Sequence, residues 1–225
     1  MVTLYAVDCT PWRDPALIER ALPLLSPARC ARVQRLGAEL PRAQCAAAGL
    51  LLRRLFSPDG TPPALTHGAH GKPYLLPKKG EEPPFFSLSH TGGRVFCAVG
   101  ERELGLDAET ISPCRARVAE RCFTPEERAW LSADPDARFA RLWAAKEAYL
   151  KFTGLGLILP MSGFSVPPAV PPERSPGGCR FFEVTGTDTA ADGRAVAVAL
   201  CVTGNEKLGA VRELPPDELW QTKQG

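Results

Sequence analysis

The sequence lacks closely spaced cysteines, long apolar runs and an excess of either charge, and each absence argues against a class of function. Its eight cysteines form no C-x-x-C pair, and the closest two are Cys114 and Cys122, which disfavours a structural zinc site. No stretch approaches the ~20 apolar residues of a membrane span, and the N-terminus lacks signal-peptide features. The net charge of +2 creates no global field for nucleic acid. We expect a soluble, cytoplasmic protein with reduced thiols and neither a membrane nor a nucleic-acid partner.

The chain has enough apolar content for a core, since 44% of its 225 residues are hydrophobic. Periodicity predicts helices over 15–22, 27–36, 41–56 and 134–152. Alternation predicts strands over 2–7, 85–90, 94–99, 104–109, 181–184 and 194–202. Short turns between the three strands of 85–109 favour an antiparallel meander, and the last twenty or so residues look weakly ordered. Each half supplies helices and antiparallel strands, which predicts the α+β class with halves of 1–108 and 109–225.

Two carboxylates two residues apart, Asp107 and Glu109, are the most informative feature. Their segment alternates like a strand, so both point to one face, with about 6–7 Å between their Cα atoms. Gly105 lies on the same face and takes up no room. Like charges held together repel unless a cation or a proton lies between them. Hard oxygen ligands of this kind suit Mg²⁺, usually alongside a phosphate.

The helix predicted over 134–152 carries the second informative feature, a lysine within its apolar stripe. Lys146 falls among apolar neighbours, and Glu147 and Lys151 lie at the margin of the stripe. A buried ammonium is costly unless an anion meets it, so a functional role is one interpretation. The alternatives are that Lys146 reaches to solvent, and that Glu147 and Lys151 form an ordinary surface pair.

Three further residues have both a functional and a structural interpretation. His90 ends a strand. It could donate to a phosphate there, or it could be an ordinary histidine at the edge of a sheet. Lys72 lies in a turn that a nucleotide could reach. Glu127 completes a capping-box pattern with Thr124, which alone would explain it.

Upstream, the stretch 29–54 holds six arginines and one acid, an excess that suits an anionic ligand.

Taken together, these segments resemble one family, the 4′-phosphopantetheinyl transferases of the surfactin-synthetase-activating type. Four blocks carry the resemblance, in the family's order: 71–73 (GKP), 86–90 (FSLSH), 105–109 (GLDAE) and 143–151 (WAAKEAYLK). Each block alone is weak, whereas all four in order are specific. The resemblance implies two similar α+β halves related by a pseudo-twofold axis, with coenzyme A in the cleft between them. The implied reaction moves the phosphopantetheine arm of coenzyme A to a serine of an acidic acyl or peptidyl carrier protein.

The resemblance also implies roles for individual residues of a monomeric enzyme. Mg²⁺ would be surrounded by Asp107, Glu109 and Glu147. Coenzyme A would be bound by Arg29, Arg32, Arg42, Lys72, Ser89, His90 and Lys151. The catalytic residues would be Glu147, Lys151 and Glu127.

Several points stay open at this level. The third contact to the 3′-phosphate of coenzyme A aligns with either Arg42 or Gln44. The base for the serine is Glu147, Glu127 or a metal-bound water, and Glu147 is favoured because capping occupies Glu127. The alternative functions are another Mg²⁺-dependent phosphoryl or nucleotide enzyme and a carrier-binding module without catalysis. The sequence does not distinguish carriers of fatty-acid, polyketide or peptide synthesis.

Overall fold

The computed structural model describes residues 1–77, 80–184 and 189–221. Within these ranges the α-helices are α1 (Pro15–Ala21), α2 (Pro27–Arg35), α3 (Glu39–Phe56), α4 (Ala116–Cys122), α5 (Pro125–Leu131) and α6 (Pro135–Thr153). The strands are β1 (Val2–Asp8), β2 (Leu65–His67), β3 (Pro73–Leu75), β4 (Phe85–Thr91), β5 (Arg94–Gly100), β6 (Leu104–Thr110), β7 (Arg180–Val184), β8 (Val196–Val202) and β9 (Leu208–Glu213). No helix in the described ranges is both long and apolar enough to cross a membrane.

The strands form two main sheets and a small ribbon. The first sheet has the order β4-β5-β1-β9 and the second the order β6-β8-β7, while β2 pairs with β3. All pairs are antiparallel except β1 with β9. The α+β class is therefore confirmed, whereas the pseudo-twofold relation between the halves stays a prediction.

The sheet order corrects the expected meander. β4 and β5 form the expected hairpin, but β6 leaves them and pairs with β8. The expected boundary between residues 108 and 109 thus falls inside β6. The C-terminal part also differs, because β9 returns to pair with β1 in the first sheet, and Leu208 packs against the neighbouring apolar cluster. The expected weak order is therefore wrong for 208–213.

Local signals explain the ends of the helices that the sequence predicts. The Ser26 hydroxyl caps α2 by accepting from the Arg29 amide at 3.4 Å, with Pro27 at the first position. Helix α6 ends at Gly154, whose φ of 69° is the left-handed conformation that glycine adopts readily. Helix α4 was missed, and it begins without a side-chain cap.

A glycine determines how closely α6 lies on the second sheet. A Cβ atom at Gly105 would come within 2.0 Å of the Ala148 carbonyl oxygen and 2.3 Å of the Phe152 amide nitrogen. The helix backbone therefore rests directly on β6, which a larger residue at this position would prevent. This contact brings the α6 residues near 147–151 close to the carboxylates of β6.

The two sheets meet where β4 lies beside β6, and side-chain hydroxyls form the border. Three alternate hydroxyls of β4 accept from three alternate amides of β6 at 3.0–3.1 Å: Ser87 from Leu106, Ser89 from Ala108 and Thr91 from Thr110. We call these three hydroxyls the hydroxyl seam. It satisfies β6 amides that a backbone ladder with β4 would otherwise satisfy.

Candidate active site

Asp107 lies at the centre of the site, where β4, β6 and α6 meet. Its side chain is largely buried, and its Oδ1 accepts from Lys151 Nζ at 2.7 Å and from Ser89 Oγ at 2.7 Å. Lys151 also donates to the Leu88 carbonyl at 3.1 Å. The structure therefore joins three of the sequence blocks through one carboxylate oxygen.

Two further carboxylates lie close enough to Asp107 to interact with its charge. Burial raises the pKa of Glu147, and the charges of Asp107 and Glu109 raise it further, against the opposing charge of Lys151. Burial likewise raises the pKa of Glu109, where Arg115 opposes the effect and Asp107 adds to it. Arg115 binds Glu109 at 3.0 Å. In the described part of the chain, Glu147 has no hydrogen-bond or ion-pair partner.

The donor chemistry of this group suits a hard cation. Among the described residues, no three carboxylate, histidine or cysteine side chains converge closely enough to hold a metal ion. Lys151 engages one oxygen of Asp107, and Arg115 engages one oxygen of Glu109. The remaining oxygens, together with the uncommitted carboxylate of Glu147, provide an all-oxygen donor set in which like charges repel.

A cationic group, made up of Arg29, Arg32 and His90, borders the carboxylates on the side of α2. His90 is exposed at the end of β4, and partial desolvation lowers its pKa, as do the nearby charges of Lys151 and Arg32. Arg29 packs against α3, where its Nη1 donates to the Cys45 carbonyl at 3.3 Å, and burial lowers its pKa. Positive charge is thus concentrated beside the acidic group, an arrangement suited to a ligand with several phosphates.

The two candidates for a third phosphate contact differ in exposure. Gln44 is buried within α3, whereas Arg42 is half-buried and its Nε has no partner among the described atoms. Arg42 therefore keeps an unused donor, although this atom is itself buried in the structure.

Lys72 and Ser89 depart from the roles that the resemblance implied for their side chains. The Lys72 ammonium contacts Glu103 and the carbonyls of Leu104 and Phe152, and 8% of the side chain is exposed. The Ser89 hydroxyl is buried in the hydroxyl seam. Both groups bind the protein itself, so neither is presented to a ligand in this structure.

Glu127 is a structural residue here, which corrects its expected catalytic role. The capping box with Thr124 is present, as the sequence predicts. Its carboxylate also accepts from the Val166 amide at 3.0 Å and pairs with Lys146 at 2.8 Å, and both side chains of this pair are 0% exposed. Lys146 donates further to the carbonyls of Met161 and Phe164. A carboxylate so enclosed is inaccessible to the hydroxyl of another protein.

The sequence reasoning missed two parts of the site. One is the hydroxyl seam, whose signal was the alternation of hydroxyl residues at 87, 89 and 91. The other is Arg115, which binds Glu109 and lies over the rings of Phe139 and Trp143 at 4.9 and 5.0 Å. No local signal marked Arg115, because its partners come from β6 and α6.

Residues 103–199 match the family model of the 4′-phosphopantetheinyl transferase superfamily. The matched region begins just before β6 and ends within β8, so it contains Asp107, Glu109, Glu147 and Lys151. The cationic residues of α2 and β4 lie outside it. The region that is similar to this superfamily therefore holds the acidic part of the site.

Curated proteins with related sequences include three bacterial examples. A 4′-phosphopantetheinyl transferase of Bacillus subtilis is 39% identical over 103 residues, which cover 43% of this chain and 44% of the relative. The transferase HetI of a Nostoc species is 38% identical over 96 residues, 40% of each chain. The transferase gsp of Aneurinibacillus migulanus is 31% identical over 99 residues, 42% of this chain and 40% of the relative. The chain spans less than half the length of these relatives.

Proposed function

We propose that this chain transfers the 4′-phosphopantetheine arm of coenzyme A to a serine of a carrier protein. One observation carries the proposal: Asp107 and Lys151 are bonded to each other, with Glu147 near them, and His90 and Arg32 border this group. Acidic and cationic groups side by side suit a pyrophosphate with a further phosphate at a distance. The superfamily match over 103–199 supports the same reaction.

In this proposal the cationic group holds the 3′-phosphate of coenzyme A. Arg32 and His90 donate to the phosphate oxygens, and Arg29 and Arg42 add positive charge from α2 and α3. An incoming dianion offsets the charges of Lys151 and Arg32, which now lower the pKa of His90. The phosphate therefore stabilises protonated His90.

The acidic group would hold the Mg²⁺ that this reaction uses. Asp107, Glu109 and Glu147 would supply the oxygens. Burial raises the pKa of Glu147, the charges of Asp107 and Glu109 raise it further, and a cation would relieve that repulsion. When bound, the ion neutralises charge that develops on the phosphate oxygens during transfer.

The proton of the attacking serine passes to Glu147. Its carboxylate has no hydrogen-bond or ion-pair partner in the described part of the chain, so it can accept this proton. The serine oxygen forms a bond to the β-phosphorus, and the bond from that phosphorus to the bridging oxygen breaks. Adenosine 3′,5′-bisphosphate leaves, while Lys151 stabilises negative charge on the phosphate oxygens.

Exposed arginines support an acidic partner, and the cysteines support a reducing compartment. Arg117 and Arg121 of α4 are exposed, and they favour an acidic carrier protein. The free cysteines favour a reducing compartment such as the cytoplasm. We propose that the chain acts there as a monomer.

The reaction itself gives the first prediction. A carrier protein lacking the arm should gain one phosphopantetheine, about 340 Da by its formula, only when Mg²⁺ or Mn²⁺ is present. Intact mass of carriers from fatty-acid, polyketide and peptide synthesis measures the gain. Release of adenosine 3′,5′-bisphosphate without a modified carrier would indicate transfer to water, and no gain on any carrier would refute the proposal.

The cationic group gives the second prediction, which separates binding from chemistry. Alanine at Arg32 or His90 should weaken coenzyme A binding with a smaller effect on kcat, because the 3′-phosphate lies far from the bond that breaks. The same variants should lose the preference for coenzyme A over its 3′-dephospho form. Isothermal titration with both compounds measures the ratio of affinities.

Arg35→Ala is the matched control, because Arg35 is exposed on the same helix and bonds only its own turn among the described residues. It should keep the parent's preference. If the Arg32 and His90 variants also keep it, the 3′-phosphate binds elsewhere.

A further inference from the structure

Ser87 and Ser89 occupy equivalent places in the hydroxyl seam but differ in one contact. Each is buried, and each hydroxyl oxygen accepts one amide of β6, at 3.0 Å for Ser87 and 3.1 Å for Ser89. The Ser89 hydroxyl also donates to Asp107 Oδ1 at 2.7 Å. In the part of the chain that the structure describes, the Ser87 hydroxyl contacts no carboxylate.

We propose that Ser89 is a positioning residue that fixes the Asp107 carboxylate for the metal ion. This inference rests on the proposed function, because it concerns the Mg²⁺ of that reaction. The Ala108 amide donates to the Ser89 oxygen, and this orients the hydroxyl. The hydroxyl proton must then point away from that amide. The proton is therefore directed to the carboxylate of the residue that precedes Ala108 in the same strand.

The second donor to the same oxygen shows why this positioning matters. Lys151 Nζ and Ser89 Oγ both bind Oδ1 of Asp107 at 2.7 Å, whereas Oδ2 has no hydrogen bond among the described residues. A carboxylate held through one oxygen keeps its rotamer and presents the other oxygen to a ligand. Lys151 is half-exposed on a long flexible side chain, but Ser89 is buried on a strand. Ser89 is thus the rigid member of the pair.

The proposed role differs from the contact to coenzyme A that the resemblance implied. The Ser89 hydroxyl uses its proton on Asp107 and one lone pair on the Ala108 amide, and its side chain is buried. It acts on the substrate only through Asp107. Losing such an outer partner of a metal ligand typically costs about 10- to 100-fold in metal affinity.

The test compares Ser89→Ala with Ser87→Ala. Both variants lose a seam hydroxyl and should lose similar amounts in melting temperature. Only Ser89→Ala should weaken Mn²⁺ binding, measured by titration in the presence of coenzyme A, by about 10- to 100-fold. Its transfer rate should recover at high Mg²⁺ concentration. If Ser89→Ala does not fold, Ser89→Cys fills the same space with a weaker donor and should behave likewise.

Equal Mn²⁺ affinity in the two alanine variants would overturn the positioning role and leave only a structural one. The proposed function has a separate outcome, because Mn²⁺ binding is measured without a carrier protein. A parent protein that binds Mn²⁺ but modifies no carrier would refute the function and still test Ser89. A parent that modifies carriers while both variants bind Mn²⁺ normally would refute only the role of Ser89.

Discussion

Replacement of Asp107 by asparagine should reduce transfer by about 10²-fold or more while the fold persists. Asparagine has the same shape and keeps an oxygen that can accept from Ser89 and Lys151, so the change removes mainly the charge. The loss follows because the neutral amide of asparagine does not balance the charge of Mg²⁺. Turnover measured against Mg²⁺ concentration, with a thermal melt of the same sample, tests this expectation.

Glu183→Gln is the control for Asp107→Asn. Glu183 lies on β7 of the same sheet and pairs with Arg141. It should keep the parent's rate, because its carboxylate is partly exposed and engaged by Arg141, and it contacts none of the site residues among those described. Near-normal turnover of Asp107→Asn at limiting Mg²⁺ would mean that the paired carboxylates serve the structure and not the ion.

Breaking the buried pair of Glu127 and Lys146 should be the most destabilising change outside the site. Lys146→Met leaves a carboxylate in a place from which solvent is excluded, and Glu127→Gln leaves an ammonium there. Each should cost about 3–5 kcal/mol of unfolding free energy. Glutamine preserves the capping box, so the pattern at Thr124 alone would predict a harmless change. Denaturant unfolding measures the difference.

The double variant isolates the pair from the cap. Glu127→Gln with Lys146→Met removes both charges and should be more stable than the sum of the single losses predicts. Glu126→Gln is the control, because Glu126 lies on the same helix as Glu127 but forms an exposed pair with Arg174. This variant should cost less than about 1 kcal/mol. If Glu127→Gln unfolds like the parent but loses turnover while folded, its carboxylate has a chemical role after all.

Much of the acidic site follows from residues that are close in sequence. Alternation places Asp107 and Glu109 on one face, and helical periodicity places Glu147 and Lys151 on one margin of α6. Gly105 was expected to leave room on the face of the carboxylates, and the structure uses that room for the backbone of α6. The apolar surroundings of Lys146 correctly indicated an anionic partner, although the partner is Glu127 and not a ligand.

The features that the sequence did not predict depend on contacts between distant segments. The Ser89 hydroxyl finds its partner on another strand, and nothing in FSLSH indicates that β4 and β6 lie side by side. The position of β9 depends on an open edge at β1, which is 200 residues or so earlier in the chain. Local periodicity gives the elements, whereas the pairing of edges is decided by the whole fold.

The return of β9 to β1 means that the chain passes between the two sheets twice. The first passage lies between β5 and β6, and the second lies between β8 and β9. In sequence, the second sheet and α6 are therefore inserted between β5 and β9 of the first sheet. Two chain connections and the hydroxyl seam hold them to it. Opening of the site cannot be a free rotation about one linker, since any such rotation would strain the other connection. A single proteolytic cut in either passage would leave the two sheets joined through the other.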